Sequence, residues 1–344
     1  MYSFKNDYSE GTHPNILRAL TESNLVQSSG YGEDDYCKEA ARLIKEKIGR
    51  EDIDVHFLSG GTQTNLTAIS AFLRPHEAVI AAYTGHIATH ETGAIEACGH
   101  KVITVKAEDG KLNPNHILSV LEEHTDEHMV KPKMVYLSNS TELGTIYKKE
   151  ELKEISKLCK DKKLYLYLDG ARLGSALCSK DNDLTFSDLG LHTDAFYIGG
   201  TKNGALLGEA LVITKEELKE DFRYHIKQKG GMLAKGRILG IQFAQLFKDD
   251  LYFELAKHAN HMAEILKKGI SDMGYSFLID SPTNQVFPIF SNEIIKKLSE
   301  CYAFQFWQKI DENTSVVRLV TSWATPKEAV EDFIKSLKEI SIRL

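Results

Sequence analysis

Short apolar runs alternate with segments of helical periodicity over the first two thirds of the chain. Runs with the length and residue types of β-strands occupy residues 56–61, 77–82, 100–106, 132–140, 164–170, 193–200 and 209–214. Between them, apolar residues recur at helical spacing in residues 36–48, 62–73, 87–98, 115–125 and 148–162. Strands that alternate with helices predict an α/β fold with a mainly parallel sheet covered by helices.

The pattern changes after about residue 230. Long helical patterns and shorter strand-like runs then follow at 232–247, 252–274, 286–290, 292–300, 315–323 and 326–341. These segments predict a smaller α+β domain. We place the boundary in the long helices, so that a large domain ends at residue 249 and a small domain covers residues 250–344.

Composition limits the kinds of partner that the chain is built for. Of its 344 residues, 42% are hydrophobic and 26% charged, and the formal net charge is −7. This acidic balance does not favour nucleic acid or an anionic membrane as a partner. No apolar run approaches the roughly 20 residues that a membrane-spanning helix needs. The five cysteines are scattered without metal-binding spacing, and the N-terminus does not resemble a signal peptide, so we expect a cytoplasmic protein.

Three predicted strands end in residues that are unusual for simple turns. The first runs into SGGTQTN at 59–65, where backbone N–H groups of a helix start, with the hydroxyls of Thr62 and Thr64, form a candidate anion site. The second ends at Asp169 in LDGAR, and the third leads to Lys202 in GGTKNG. Carboxyl ends of parallel strands share one edge of a sheet, so we expect these groups to lie together.

Each of these signals has an ordinary structural explanation when it is taken alone. A Gly-Gly pair is often only a turn, Asp169 could cap a helix, and most loop lysines are solvated. Together, the anion site, the carboxylate and the lysine are the groups that pyridoxal 5'-phosphate requires for its phosphate, its pyridine nitrogen and its aldehyde. We therefore predict this cofactor, and we expect the glycines beside Lys202 to let the backbone pass close to its flat ring.

The ordered set of motifs resembles the threonine aldolase and β-eliminating lyase family. The motifs are YGED at 31–34, SGGTQTN, the series His86, Glu91 and Gly93, LDGAR, GGTK and RLVTSW. The resemblance covers nearly the whole chain. It implies the aspartate-aminotransferase-like fold of pyridoxal-phosphate enzymes (fold type I), with residues 1–15 as an N-terminal arm that contributes to the active site and the small domain.

The resemblance also implies roles for residues around the cofactor. Lys202 would form the Schiff base, Asp169 would pair with the pyridine nitrogen, and His86 would lie over the ring and take part in proton transfer. The phosphate would be held by Gly60, Gly61 and Thr62.

Further residues are implied to bind the substrate. Arg172 and Arg318 would hold the amino-acid carboxylate, since a planar guanidinium suits it. Asn6 stands where the family usually has a serine that contacts the same carboxylate. Tyr31 belongs to a loop that the family places at a subunit interface near the site, so a homodimer or homotetramer with shared active sites is expected.

Two positions depart from the family pattern. Thr141 stands where many members have a histidine linked to the substrate hydroxyl. Leu233 stands where many have an arginine that reaches the phosphate of a neighbouring subunit, and Lys235 or Arg237 is the candidate replacement. Substrate range and the cation at the phosphate therefore stay open at this point.

His90 follows His86 by four residues, which is a possible metal-ligand spacing on a helix. No third ligand at a suitable spacing accompanies the pair, so we predict no metal. His90 matches a family position that faces the substrate, and we expect it to act as a base or as a partner of the hydroxyl.

The resemblance implies retro-aldol cleavage of a β-hydroxy-α-amino acid to glycine and an aldehyde, as in low-specificity L-threonine and L-allo-threonine aldolases. A base such as His86 or His90 would remove the hydroxyl proton. β-Elimination and racemisation use the same cofactor chemistry and remain alternatives. A non-catalytic anion-binding α/β module is a more distant one.

Overall fold

A computed structural model describes residues 1–343. Its α-helices are α1 (Pro14–Glu22), α2 (Asp35–Ile48), α3 (Gly61–Phe72), α4 (His86–Thr89), α5 (Ala94–Ala97), α6 (Pro114–Glu123), α7 (Lys149–Asp161), α8 (Leu173–Leu177), α9 (Phe186–His192), α10 (Phe222–Gln228), α11 (Arg237–Phe247), α12 (Leu251–Ser271), α13 (Asn292–Leu298) and α14 (Lys327–Arg343). Its strands are β1 (Tyr2–Ser3), β2 (Asp54–Leu58), β3 (Glu77–Ala82), β4 (Val102–Val105), β5 (Lys131–Ser138), β6 (Tyr165–Asp169), β7 (Ala195–Gly199), β8 (Glu209–Ile213), β9 (Gln285–Val286), β10 (Ile289–Ser291), β11 (Tyr302–Ala303), β12 (Gln305–Lys309) and β13 (Thr314–Val320).

A seven-stranded sheet forms the centre of the larger part of the molecule, in the order β2-β8-β7-β6-β5-β3-β4. The neighbours from β7 to β4 pair in parallel, whereas β8 pairs antiparallel with both β7 and β2. The predicted mainly parallel sheet is therefore confirmed. The chain belongs structurally to the α/β class, and the buried strands β3, β7 and β8 need both faces covered by helices.

The two faces of this sheet pack into separate hydrophobic clusters. One contains residues of α2, α6, α7 and α11, including Ile44 and Phe243. The other contains residues of α3, α5 and α10, including Ile69 and Phe222. Helices thus hold the sheet from both sides and leave the ends of the strands free for a site.

The prediction of a single helix over residues 87–98 is wrong. The segment forms two short helices, α4 and α5, because Thr92 (φ 53°) and Gly93 (φ 71°) adopt left-handed backbone between them. Left-handed backbone cannot continue a right-handed helix. The break turns the chain so that Glu91, just after α4, can point back toward His86.

A second layer of strands follows α12. Strands β10, β13 and β12 form an antiparallel sheet, β9 pairs with β13, and β1 from the N-terminus pairs in parallel with β11. Their core includes Phe4, Leu266 and Phe333. Residues 1–4 thus pack with the C-terminal strands, although the exact limits of an arm at 1–15 and of a small domain from 250 stay predictions.

The direction of β2 bears on where a site can form. Strand β2 runs antiparallel to β8, and β8 runs antiparallel to β7, so β2 ends at the same edge as the parallel strands. Loops after β2, β3, β5, β6 and β7 consequently meet there, beside the first residue of β8.

None of the helices in residues 1–343 combines the length and apolarity needed to cross a bilayer.

Candidate active site

A cleft of about 310 Å³ opens at this edge of the sheet. It is lined by Tyr8, Ser59, Gly60, Gly61, Thr62, His86, Ser140, Glu142, Asp169, Ala171, Arg172, Tyr197, Thr201, Lys202, Leu207 and Glu209. These residues come from separate parts of the sequence, and the topology of the sheet brings them together. The expected meeting of the anion loop, the carboxylate and the lysine therefore occurs in the structure.

Asp169, the last residue of β6, is a buried and fully hydrogen-bonded carboxylate. Its oxygens accept hydrogen bonds from the Tyr136 hydroxyl (2.5 Å), the Tyr197 hydroxyl (2.5 Å), the Asn65 amide (3.1 Å) and the Ala171 N–H (2.9 Å). Burial alone would raise the pKa of Asp169, but the charge of His86 and these hydrogen bonds hold it below its ordinary value. The carboxylate is thus kept ionised, as a partner of a cationic ring nitrogen must be.

Lys202 lies in the turn between β7 and β8. Burial, and after it the charge of Arg172, lowers the pKa of Lys202. Within residues 1–343, no carboxylate oxygen lies within 4.0 Å of the Lys202 amine, so Lys202 forms no ion pair there. A lysine with a lowered pKa and no close counterion has a larger neutral fraction, which is the nucleophilic form.

Glu209 supports the same turn from the first residue of β8. Its Oε2 accepts a hydrogen bond from the Gly200 N–H (2.9 Å), and only 4% of the residue is exposed. Burial raises the pKa of Glu209 to about 8, although the Gly200 N–H and the charge of Lys202 act in the opposite direction. The carboxyl group therefore anchors the backbone just before Lys202.

The glycines before Lys202 are required by the packing of the strand ends. A Cβ on Gly199 would lie 2.3 Å from the carbonyl oxygen of Ala171, and one on Gly200 would lie 2.8 Å from that of Gly208. The space that a side chain would need is already filled by protein backbone. Packing is therefore one reason for glycine at these two positions, and the expected approach of the cofactor ring to this backbone stays a prediction.

The predicted anion site is the N-terminus of α3. Gly60 is its extended N-cap, and the backbone N–H groups of the first turn, including those of Gly61 and Thr62, have no helical acceptor. Gly61 has little room for a side chain, since a Cβ would lie 3.2 Å from the Tyr197 hydroxyl. Thr64, expected as a further donor, is buried and donates its hydroxyl to the Gly60 carbonyl (2.9 Å). Thr62 remains at the cleft.

His86, the first residue of α4, is fixed by a carboxylate. Its Nδ1 lies 2.9 Å from Glu91 Oε1, and that oxygen also accepts a hydrogen bond from the Asn65 amide (2.7 Å). Glu91 is 5% exposed. The His86 ring lines the cleft, whereas His90 is exposed with its ring centroid 5.5 Å from that of His86. Both predicted histidines thus lie at or beside the cleft.

The two predicted arginines have different surroundings. Arg172 forms a two-point ion pair with Asp7, at 2.7 Å from Nε and 2.9 Å from Nη2. Asn284 donates to the same carboxylate (2.9 Å), and Asp7 is 1% exposed. The charge of Arg172 is therefore largely balanced within the protein.

Arg318, on β13, has only neutral partners within hydrogen-bonding distance in the part of the chain that the structure describes. Its guanidinium donates to the side-chain oxygens of Gln285 (3.3 Å) and Gln305 (2.5 Å), and its Nε is buried without a partner. Burial, and after it the charge of Arg172, lowers the pKa of Arg318 to about 10. A partly buried cation with neutral partners favours an anionic ligand beside it.

Arg318 and His90 are not among the residues that line the cleft, and three other predicted residues, Asn6, Tyr31 and Lys235, do not line it either. Asn6 accepts hydrogen bonds from the Tyr8 N–H and the Ser9 hydroxyl, so its amide oxygen holds a local turn. Tyr31 is 47% exposed, with the ammonium of Lys227 over its ring. Lys235 is exposed in another loop.

The two departures from the family pattern have clear positions. Thr141 is 1% exposed, and its hydroxyl lies 2.6 Å from that of Thr145, so it points away from the cleft. The neighbouring Glu142 lines the cleft instead. Arg237 donates to the carbonyls of Ser23 and Val26, which engages it in holding a loop.

Several site residues were not anticipated from the sequence. No recognised motif contains three of them, namely Asp7, Glu142 and Glu209. Only Glu209 had a usable signal: a glutamate that opens a buried strand needs a polar partner. The roles of Asp7 and Glu142 depend on contacts between distant segments.

Sequence comparison finds relatives over almost the whole chain. A model of the family described as "Beta-eliminating lyase" matches residues 8–293. A low specificity L-threonine aldolase of Pseudomonas aeruginosa is 32% identical over 338 residues, which are 97% of this chain and 96% of the relative. The enzyme of the same description from Escherichia coli K12 is 27% identical and covers 92% of this chain and 93% of its own.

Structure comparison gives a consistent result. A solved threonine aldolase of Leishmania major superposes with a TM-score of 0.98 at 53% identity and covers 99% of both chains. An aspartate aminotransferase of Thermus thermophilus superposes with a TM-score of 0.73 at 16% identity, covering 98% of this chain and 96% of its own. The latter similarity concerns the fold alone, and it confirms the expected aspartate-aminotransferase-like architecture.

Proposed function

The chain belongs to the beta-eliminating lyase family, and from this membership we infer that it is an aldehyde-lyase of the threonine aldolase type. Its substrates are small β-hydroxy-α-amino acids such as L-threonine, which it cleaves to glycine and an aldehyde. The relatives with 32% and 53% identity over nearly the full length support this reaction. The observation in the molecule that carries it is the meeting of Asp169, Lys202 and the N-terminus of α3 around one cleft.

The residues of the cleft fit pyridoxal 5'-phosphate. Lys202 would hold its aldehyde carbon, Asp169 its pyridine nitrogen, and Gly60, Gly61 and Thr62 its phosphate. When bound, the cofactor supplies an electron-accepting ring conjugated to the amino group of the substrate. The ionised state of Asp169 is what this chemistry needs from the protein, because an anion beside the nitrogen keeps the ring protonated.

Arg318 is the proposed main partner of the substrate carboxylate, with Arg172 beside it. Arg318 has only neutral hydrogen-bond partners and forms no ion pair within residues 1–343, although the charges of Asp7 and Glu142 act on it. Asp7 holds the guanidinium of Arg172 in one orientation, which aims its remaining donor without a large loss of side-chain freedom. Fixing the carboxylate and the amine of the substrate sets which bond at Cα can break.

His86 is proposed to lie over the ring of the cofactor, oriented by Glu91. Its Nδ1 is fixed by the Glu91 carboxylate, so the ring cannot turn freely. His90, at the rim, would face the substrate's β-substituent. These assignments rest on the positions of the two rings beside the cleft.

We propose that the active unit is a homodimer or homotetramer. The Tyr31 loop and the loop that carries Lys235 contact each other, with the Tyr31 N–H 3.3 Å from the Ala234 carbonyl oxygen. Both loops lie away from the cleft of their own chain, as expected of residues that complete a neighbour's site. Light scattering of the purified protein measures the mass of the assembly, and a monomer that is fully active would contradict the proposal.

The reaction is tested by the products formed from L-threonine. The purified protein supplied with the cofactor should release one glycine for each acetaldehyde, both from L-threonine and from L-allo-threonine. Ammonia with a 2-oxo acid would instead indicate β-elimination, and a D-amino acid would indicate racemisation. Either result without glycine would overturn the aldolase assignment while leaving the cofactor assignment intact.

A further inference from the structure

Glu142 is a carboxylate in the wall of the cleft for which the proposed function has no role. It lies in the loop after β5, close to the amino end of α4. Its Oε1 accepts hydrogen bonds from the His86 backbone N–H (2.9 Å) and from the Ser138 hydroxyl (2.9 Å). Within residues 1–343, the second oxygen, Oε2, accepts no hydrogen bond from the protein. One oxygen is therefore anchored and the other is available to a ligand in the cleft.

The other acidic groups of the cleft have different surroundings. Asp169 is hydrogen-bonded at both oxygens, and Glu209 holds the turn before Lys202. Asp7 is paired with Arg172. Glu209 is likewise held at one oxygen, Oε2, but it lies at the turn of Lys202, so Glu142 is the partly anchored carboxylate on the His86 side of the cleft.

We propose that Glu142 accepts the proton of the substrate's β-hydroxyl during cleavage of the Cα–Cβ bond. This proposal rests on the aldolase function inferred above and names the catalytic base for that reaction. It places the base on the loop after β5 and leaves His86 to its position over the cofactor ring.

The charges around Glu142 are compatible with this role. Burial, and after it the negative charge of Asp169, raises the pKa of Glu142, whereas the Ser138 hydrogen bond and the charge of His86 lower it. Arg172 and Arg318 are the other charged groups whose electrostatics involve Glu142. A carboxyl group with a raised pKa is a stronger base than an ordinary one, so proton transfer from a hydroxyl is easier.

The position of Glu142 relative to the substrate-binding groups is also suitable. Its charge is felt by Arg172 and Arg318, which are proposed to hold the substrate carboxylate, and its anchored oxygen touches His86. In the proposed arrangement the substrate amine lies near Lys202 and the substrate carboxylate near these arginines. The β-carbon and its hydroxyl would then point to the part of the cleft that Glu142 lines.

The loop that carries Glu142 is held firmly. The Tyr147 N–H donates to the Asn139 amide oxygen (3.2 Å), and the Gln285 amide donates to the Thr141 carbonyl (3.2 Å). A base that is fixed in this way loses little freedom when the substrate binds.

The proposed step balances as follows. The hydroxyl O–H bond breaks, its proton moves to Oε2 of Glu142, and its electron pair forms the carbonyl bond of the aldehyde. The Cα–Cβ bond breaks and its electron pair stays on Cα, where a cofactor held by Lys202 and Asp169 would stabilise it by conjugation. Cα then takes up a proton, glycine leaves, and Glu142 gives up its own proton and becomes a carboxylate again.

The variant Glu142→Gln tests the proposal with little change of shape. A glutamine oxygen can still accept from the His86 N–H and from Ser138, so the fold and the position of His86 should be kept. The matched control is Glu150→Gln, because Glu150 lies in the first turn of α7 with a side chain that is 76% exposed. Thermal unfolding and circular dichroism check that both variants fold.

Two reactions of the loaded enzyme separate a base from a structural role. Cleavage of L-threonine requires removal of the hydroxyl proton, whereas exchange of the glycine α-proton in D₂O, followed by NMR, does not. We expect kcat for cleavage to fall about 10²-fold or more in Glu142→Gln. Glycine exchange, and glycine affinity measured by the absorbance change on binding, should stay within about threefold of the unaltered protein.

Other outcomes contradict the proposal. Cleavage within about threefold of the unaltered protein would show that Glu142 is not the base, and an equal fall of cleavage and glycine exchange would show that it only positions His86. Loss of cleavage alone in His90→Asn, with Glu142→Gln active, would assign the proton to His90. If the unaltered protein exchanges glycine but does not cleave L-threonine, the aldolase assignment itself fails, which is a distinct result.

Discussion

At the scale of single residues, the site depends on how each charge is balanced. Asp169 is an anion stabilised by hydroxyl and amide donors, and Arg172 is a cation neutralised by Asp7. Arg318 differs because its partners are neutral glutamines. This difference makes Arg318 the residue whose loss should weaken substrate binding most specifically.

The variant Arg318→Lys should raise KM for L-threonine about tenfold or more, with a smaller change in kcat. A lysine keeps the positive charge but cannot make the planar two-point contact with a carboxylate. Steady-state kinetics measure the effect, and Arg42→Lys, on the exposed face of α2, is the control. A KM unchanged from that of the control would exclude Arg318 as the main carboxylate partner.

The sequence could identify residues whose chemistry is tied to a local motif, and it could not identify the others. Asp169 and Lys202 follow apolar strands, so their position at the sheet edge follows from the pattern. Asp7 lies far from Arg172 in sequence, and nothing local indicates their ion pair. Thr141 and Glu142 are neighbours, and only the turn of the loop decides which one faces the cleft.

At the scale of elements, the ends of β6 and β7 are packed so closely that they require glycine. A Cβ at Gly199 would meet backbone atoms of Ala171, which cannot move aside as a flexible side chain can. This contact fixes the distance between the loop after Asp169 and the turn with Lys202. The geometry of the site is therefore set partly by strand packing.

The variant Gly199→Ala should destabilise the protein by about 1–3 kcal/mol, because the added methyl overpacks this contact. Urea unfolding followed by circular dichroism measures the change. Gly11→Ala is the control, since a Cβ there meets nothing within 4 Å. Equal stability of the two variants would mean that the strand ends are not closely packed in solution.

Periodicity predicted the strands of the large sheet well, because their buried runs are short and bounded by polar residues. It failed at 87–98, where the apolar spacing continues through Thr92 and Gly93 although the backbone there is left-handed. The spacing of apolar residues indicates which side chains are buried. It does not indicate a left-handed turn, which accompanies a contact between particular side chains. Here that contact is Glu91 with His86.

At the scale of the whole molecule, the order of the sheet explains why the residues of the proposed cofactor site meet. The antiparallel strand β8 lies between β2 and β7, so the anion loop after β2 comes to the same edge as Lys202 and Asp169. The alternation of strands and helices predicted a mainly parallel sheet but not this position of β8. The fold class was thus predictable, and the strand order was not.

The proposed function depends above all on the binding of pyridoxal 5'-phosphate by Lys202. The most direct measurement is reduction of the cofactor-supplied protein with borohydride, followed by peptide mass spectrometry. We expect absorbance at about 420 nm before reduction and a stable cofactor adduct on Lys202 afterwards, and Lys202→Ala should show neither. A colourless protein without an adduct, or an adduct on a different lysine, would contradict it.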